Sequence, residues 1–130
     1  MQKHIAGTLH ALTEQSYDKA KFEVIVVDNG SRDDTVKIAK SFPFKVLFEL
    51  ENQNADAARN KGIEAASGDI IVFTDADCIP DPNWLMEGIK YLESSNSDMI
   101  AGNIQFSFEN KNSAAEIYDA TSNLQHKNSV

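Results

Sequence analysis

A run of four apolar residues that ends on two carboxylates constrains the fold of this chain most. Residues 68–82 read G-D-I-I-V-F-T-D-A-D-C-I-P-D-P, with turn formers on both sides of Ile70 to Phe73. A short unbroken apolar run predicts a strand buried on both faces, the usual state in a parallel sheet. In extended backbone, residues i and i+2 project the same way, so Asp75 and Asp77 are expected to converge on one object. Ala76 between them leaves the approach open. Two close negative charges repel unless something positive lies between them, and a hard divalent cation with oxygen ligands is the simplest occupant.

The rest of the chain supplies the sheet that such a strand needs. A helix is predicted over 3–16, with Ile5, Leu9 and Leu12 forming an apolar stripe at i, i+4 and i+7. Phe22 to Val27 reads as a β-branched strand stopped by Asp28-Asn29-Gly30-Ser31. Ser31 or Asp33 is placed to cap a helix running to about Phe42, with Thr35, Ile38, Ala39 and Phe42 on one face and Pro43 ending it. Val46 to Leu50 is the next strand, followed by the polar loop 51–54 and an alanine-rich helix over about 55–66. In that helix Ala58, Gly62, Ala65 and Ala66 permit close approach of a neighbour, and Gly68 stands where a left-handed C-cap would fall.

Asp81 and Pro82 are expected to open a helix that buries Leu85, Gly88, Ile89 and Leu92. Beyond it, Met99 to Phe108 reads as a strand interrupted at Gly102-Asn103, and Ala114, Ile117, Tyr118 and Thr121 as a last helix. Alternating strands and helices predict an α/β class, a doubly wound, mainly parallel open sheet in one domain over 1–130. Ligands bind outside the carboxyl ends of such strands, where Asp28 to Ser31, Glu51 to Asn54 and Asp75 to Asp77 all fall.

Charge narrows the partners. Twenty Asp and Glu against twelve Lys and Arg leave a net charge of −8, which argues against binding a nucleic-acid backbone. The single cysteine, Cys78, excludes an internal disulfide and fits a reducing compartment. No apolar segment reaches the ~18 residues of a membrane span, and the N-terminus shows no signal pattern. The location expected is the cytoplasm, or the inner face of a membrane for a longer protein carrying this segment.

V-I-V-V-D-N-G-S-R-D-D-T, then E-N-Q-N-A-D-A-A-R-N-K-G-I-E-A-A-S-G-D, then I-V-F-T-D-A-D-C-I-P together resemble the nucleotide-sugar domain of family 2 glycosyltransferases. These are inverting enzymes of the GT-A fold. The resemblance implies a nucleotide-diphospho-sugar donor, UDP-linked by preference, and Mn²⁺ or Mg²⁺ as cofactor. It implies that Asp28 accepts the imide N–H of uracil, with Asn29, Gly30 and Ser31 in the same nucleotide-binding turn. Arg59 would point toward the base and its acid, and Asn60 would fix the loop. Asp77 would ligate the metal, and Asp75, beside Ala76, would meet the ribose or a metal-bound water. Asn54 stands where the family often has glycine, and it tolerates the left-handed conformation. The metal is needed because the departing diphosphate gains negative charge.

Each of these residues has a plainer reading. Asp28 is also a turn former, Arg59 a surface arginine, and Asp75 and Asp77 an acidic strand end. Cys78 reads as a small packed residue, His4, His10 and His126 as structural, and Trp84 as an anchor for the helix after Pro82. The family's first strand, central between those ending at Asp28 and Asp75, has no counterpart here. Nor has the acceptor half with its catalytic base, and neither Glu116 nor Asp119 can be assigned that role. The expectation is therefore a fragment of low activity on its own, with sheet edges open to a second copy. Two other classes compete. One is a scaffold that keeps the fold without activity. The other is a phosphatase of the haloacid dehalogenase type, whose first motif I-V-F-T-D-A-D-C-I resembles, although two strands precede it here and Ile79 stands where Thr or Val is usual.

Overall fold

The computed structural model describes residues 2–104. All its helices and strands fall in the compact unit Met1–Asp98. Helix α1 spans Gln2–Thr13, strand β1 Ile25–Asp28, helix α2 Thr35–Ala39, strand β2 Lys45–Phe48, helix α3 Ala55–Ala65 and helix α4 Trp84–Ser95, with one 3₁₀ turn at Lys19–Lys21.

β1 and β2 pair in parallel, Ile25 opposite Lys45 and Asp28 opposite Phe48. Alternation along β1 sends its side chains to two different layers. Val24 and Val26 pack against a core of Ile5, Leu9, Leu12 and Ala39, shared with Ile38, Phe42, Phe44 and Val46. Val27 faces the other way, and a Cβ built on Gly62 of α3 would lie 3.6 Å from its Cγ2. Helices therefore cover both faces of β1, the doubly wound arrangement the alternation implied. Leu9 is the most deeply buried large side chain, and hiding such a leucine contributes about 1.5–3 kcal/mol.

The α1 stripe is as expected, and so are β1, β2 and α3 to within a few residues. Asp33 serves the start of α2 by accepting the Thr35 N–H at 3.1 Å. Asn54 is extended (φ −132°, ψ 159°) and caps α3 by accepting the Ala57 N–H at 2.8 Å, so its value lies in its side-chain oxygen, not in a left-handed backbone. Gly68 is not a left-handed cap. α3 ends through Ala66 in extended backbone, and Glu23 then captures Ser67 by its N–H (2.8 Å) and hydroxyl (2.7 Å). Asp81 accepts the Asn83 N–H at 2.9 Å, and Pro82 and Asn83 form a turn before α4 begins at Trp84.

The larger departure is at Ile70 to Phe73. These residues form no ladder, and they are 41%, 40%, 45% and 52% exposed. A buried parallel strand needs a hydrogen-bonded neighbour and a layer on each face. Among the described residues only β1 and β2 pair, and no described strand adjoins this run. Residues 99–104 likewise carry no strand, while the remainder of that expected strand and the helix around Ile117, with Glu116, Asp119 and His126, lie outside the described residues.

Candidate nucleotide and metal site

The turn after β1 is built by Asp28. Its side chain is 7% exposed, and Oδ2 accepts the N–H groups of Gly30 and Ser31, both at 3.1 Å. Oδ1 has only a 3.4 Å contact with the Ser31 N–H. A carboxylate has about four acceptor sites, so the turn leaves capacity for a further donor. The plain reading of Asp28 as a turn former is thus realised without excluding a ligand. Gly30 adopts φ +84°, the left-handed region where side chains are strained. A Cβ there would lie 2.8 Å from Nε2 of Gln53, so the loop after β2 packs directly onto the turn. Beside it the side-chain oxygen of Asn29 is buried without a hydrogen-bond partner among the described residues. Such a group costs about 1–3 kcal/mol and makes this loop a natural place for an incoming donor.

Arg59 projects from α3. Its guanidinium lies 3.2 Å from Asp56 and 3.7 Å from Asp75. It therefore reaches Asp75, and no ion pair within the described residues joins it to Asp28. Both members of the Arg59–Asp75 pair are well exposed, and such pairs contribute only ~0–1 kcal/mol, so the arginine is easily redirected. Lys61 lies 3.6 Å from Glu49.

Asp75, Asp77 and Cys78 can place one ligand atom each within 4.8 Å of one another. An ion ~2.1 Å from each of two oxygens tolerates about 4.2 Å between them, so a small rotamer change brings the two carboxylates into range. The donor chemistry fits Mg²⁺ or Mn²⁺ through the oxygens. Cys78 adds little, because burial first and then the Asp77 and Asp75 charges push its thiol pKa up. A thiol held protonated is neither a good ligand nor a nucleophile.

The turn is anchored from behind by α1, a contribution the residue pattern did not disclose. Thr8, 2% exposed, donates its hydroxyl to the Ala76 carbonyl at 2.8 Å. Gln15, 3% exposed, donates to the Asp81 carbonyl at 2.7 Å and accepts the Leu85 N–H at 3.1 Å. Ser16 adds its N–H to the Pro82 carbonyl at 2.8 Å. Thr8 shares the face of Ile5, Leu9 and Leu12, which was the available signal, and Gln15 stands just past the end of α1. His4 and His10 are exposed, and Trp84 packs partly buried on the core.

With these features in view, comparison with known proteins is decisive. The model of glycosyl transferase family 2 matches residues 2–128. This chain belongs to glycosyl transferase family 2. It is 43% identical to the glycosyltransferase AglE of Haloferax volcanii, an alignment covering 98% of this chain and 44% of that protein. It is 34% identical to the putative glycosyltransferase EpsH of Bacillus subtilis, over 83% of this chain and 32% of that one. The chain thus spans less than half the length of these family 2 relatives. Among solved structures, TarS residues 1–349 of Staphylococcus aureus in complex with UDP superimposes with a TM-score of 0.65 at 28% identity, covering 83% of this chain and 35% of that one. The fold is accordingly the α/β GT-A fold, and membership of family 2 sets the phosphatase reading aside. No described helix is long and apolar enough to cross a membrane.

Proposed function

We propose that this chain binds the nucleoside diphosphate of a nucleotide-sugar donor, UDP-linked by preference, as the donor half of an inverting glycosyltransferase. The observation that carries the reading is the Asp28–Ser31 turn with Gln53 packed upon it at the end of one apolar run. At the end of another, Arg59 reaches from α3 to Asp75, two residues from Asp77. The UDP complex of TarS supports it.

In this reading Asp28 keeps its turn through Oδ2 and offers Oδ1 to the imide N–H of the base. Asn29 offers its unpartnered oxygen to a second donor on the nucleotide, and Gly30 keeps the turn compact. Arg59 leaves Asp56 and turns its planar donor fork on the ligand. Asp77 and Asp75 would hold Mn²⁺ or Mg²⁺, which supplies positive charge to the departing diphosphate. The acceptor hydroxyl attacks in line at the anomeric carbon, with a base from outside the described residues. Synthesis of cell-surface polysaccharide or glycoconjugate in the cytoplasm is the setting that fits, and the single cysteine agrees with it. Exposure of Ile70 to Phe73 supports pairing of two copies along that run, which a monomer at high concentration by light scattering would exclude.

Thermal unfolding with UDP, GDP and dTDP, each with Mn²⁺ or with EDTA, tests the reading. UDP with Mn²⁺ at ~100 times its dissociation constant should stabilise the chain by about 2.7 kcal/mol. The gain should vanish in Asp77→Asn. No response to any nucleotide favours a bare scaffold.

A further inference from the structure

We propose that Thr8 is a positioning residue for the Asp75–Asp77 turn, acting through the Ala76 carbonyl, with Gln15 fixing the point where that loop leaves the site. The inference rests on the reading of Asp75 and Asp77 as the metal-holding pair. It adds a requirement that the pair be held from α1.

Ala76 is the residue between the two acids, and the plane of its carbonyl is the peptide plane that leads into Asp77, so fixing it limits how the Asp77 side chain can turn relative to Asp75. That carbonyl accepts the Thr8 hydroxyl at 2.8 Å, across 68 residues of sequence. A hydroxyl has one proton to donate. The alternative acceptor within its own helix, the His4 carbonyl, lies at 3.4 Å, so the long-range bond takes the proton. Downstream, Gln15 divides its amide between the Asp81 carbonyl at 2.7 Å and the Leu85 N–H at 3.1 Å. The segment from Asp77 to Pro80 is therefore suspended between two anchor points supplied by one helix and the residues just past its end. Gly7 of α1 also faces this segment, and a Cβ there would stand 3.5 Å from Cδ1 of Ile79.

Both anchors are buried polar groups, Thr8 on the otherwise apolar face of α1 and Gln15 just past its end. Val or Leu would pack at those positions. What the hydroxyl and amide add is direction: they hold a loop that has no ladder to hold it. Ile70 to Phe73 leads into the acids without strand pairing; besides the local bond from the Cys78 N–H to the Asp75 carbonyl and the exposed Arg59–Asp75 pair, the Thr8 bond is what holds this turn from the protein side among the described residues.

The test uses the full chain and UDP as the probe, titrated with Mn²⁺ and in EDTA. In Thr8→Val the Mn²⁺-dependent affinity for UDP should fall by ~10–100-fold, the usual effect of losing a group that orients metal ligands. The affinity in EDTA should not change. Thr8→Ser, which restores a hydroxyl, should recover most of the Mn²⁺ effect. Ile5→Val, a mild loss from the same buried face, should lower the melting temperature without altering the ratio of the two affinities. Thr8→Val with an unaltered ratio overturns the proposal while leaving the donor-binding reading intact. A wild-type chain whose UDP affinity ignores Mn²⁺ overturns the metal reading itself, and the role of Thr8 falls with it. Should Thr8→Val fail to fold, hydrogen exchange on the wild-type chain decides. The Cys78 N–H, bonded to the Asp75 carbonyl at 3.1 Å, should open together with the amides of α1. Exchange at Cys78 far faster than in α1 would show that the helix does not hold the turn.

Discussion

Two glycines close in space to β1 should respond to alanine with opposite signs. Gly30 has φ +84° and ends the β1 turn; Gly62 lies inside α3 over Val27. Holding a non-glycine residue in the left-handed region costs roughly 1–2 kcal/mol. At Gly30 the new methyl would also lie 2.8 Å from Nε2 and 3.1 Å from Cδ of Gln53. Those atoms belong to a flexible side chain that can turn away, so the backbone term dominates and Gly30→Ala should lose about 1–2 kcal/mol. At Gly62 the methyl meets Val27 Cγ2 at 3.6 Å, an ordinary van der Waals contact. There the helical preference of alanine over glycine should win, adding up to about 1 kcal/mol. At this chain length 1 kcal/mol moves the melting temperature by about 4 °C, so calorimetry should separate the two variants by roughly 4–12 °C. Gly30→Ala as stable as the wild type would refute the strained turn, and a destabilised Gly62→Ala would refute the spacing between α3 and β1.

Further expectations follow from single contacts. Removing the α3 cap by Asn54→Ala should cost about 1 kcal/mol, seen as a lower melting temperature with unchanged cooperativity. The Ser67 hydroxyl, followed by its N–H, holds the Glu23 carboxyl below its ordinary pKa of 4.5. A depressed pKa contributes stability above the unfolded-state value and loses it as pH falls through the folded-state one. Glu23→Gln should therefore flatten the decline of melting temperature on acidification below about pH 4.5, and a slope identical to the wild type would contradict the tether.

How far the sequence reaches depends on whether the relevant partner is local. Ile5, Leu9 and Leu12 were legible as one stripe because helical spacing alone decides which face they share. The Asp28-Asn29-Gly30-Ser31 turn was legible because the chemistry of its closure lies within four residues. Ile70 to Phe73 carries the composition of a buried strand, yet a strand is defined by its neighbour, and no described segment provides one. Gly68 looked like a helix cap for the same reason that Gly30 is a real left-handed turn: both follow a regular element. Only the distant carboxylate of Glu23, reaching Ser67, distinguishes the two. Thr8 and Gln15 were invisible as site residues because a polar side chain on a helix reads as solvated until the acceptor above it is known. Arg59, expected to point toward the base, lies beside Asp56 and Asp75, a side-chain arrangement on an exposed helix that the sequence does not specify.

The central claim is that the Asp28 turn and the Asp75–Asp77 pair form one site for a nucleoside diphosphate and a divalent ion. Calorimetric titration of UDP into the 130-residue chain, at saturating Mn²⁺ and again in EDTA, tests it most directly. The account expects one site per chain, bound more than ~10-fold more weakly in EDTA, with the metal dependence lost in Asp77→Asn. Equal affinity in both buffers, or no binding heat in either, would contradict it.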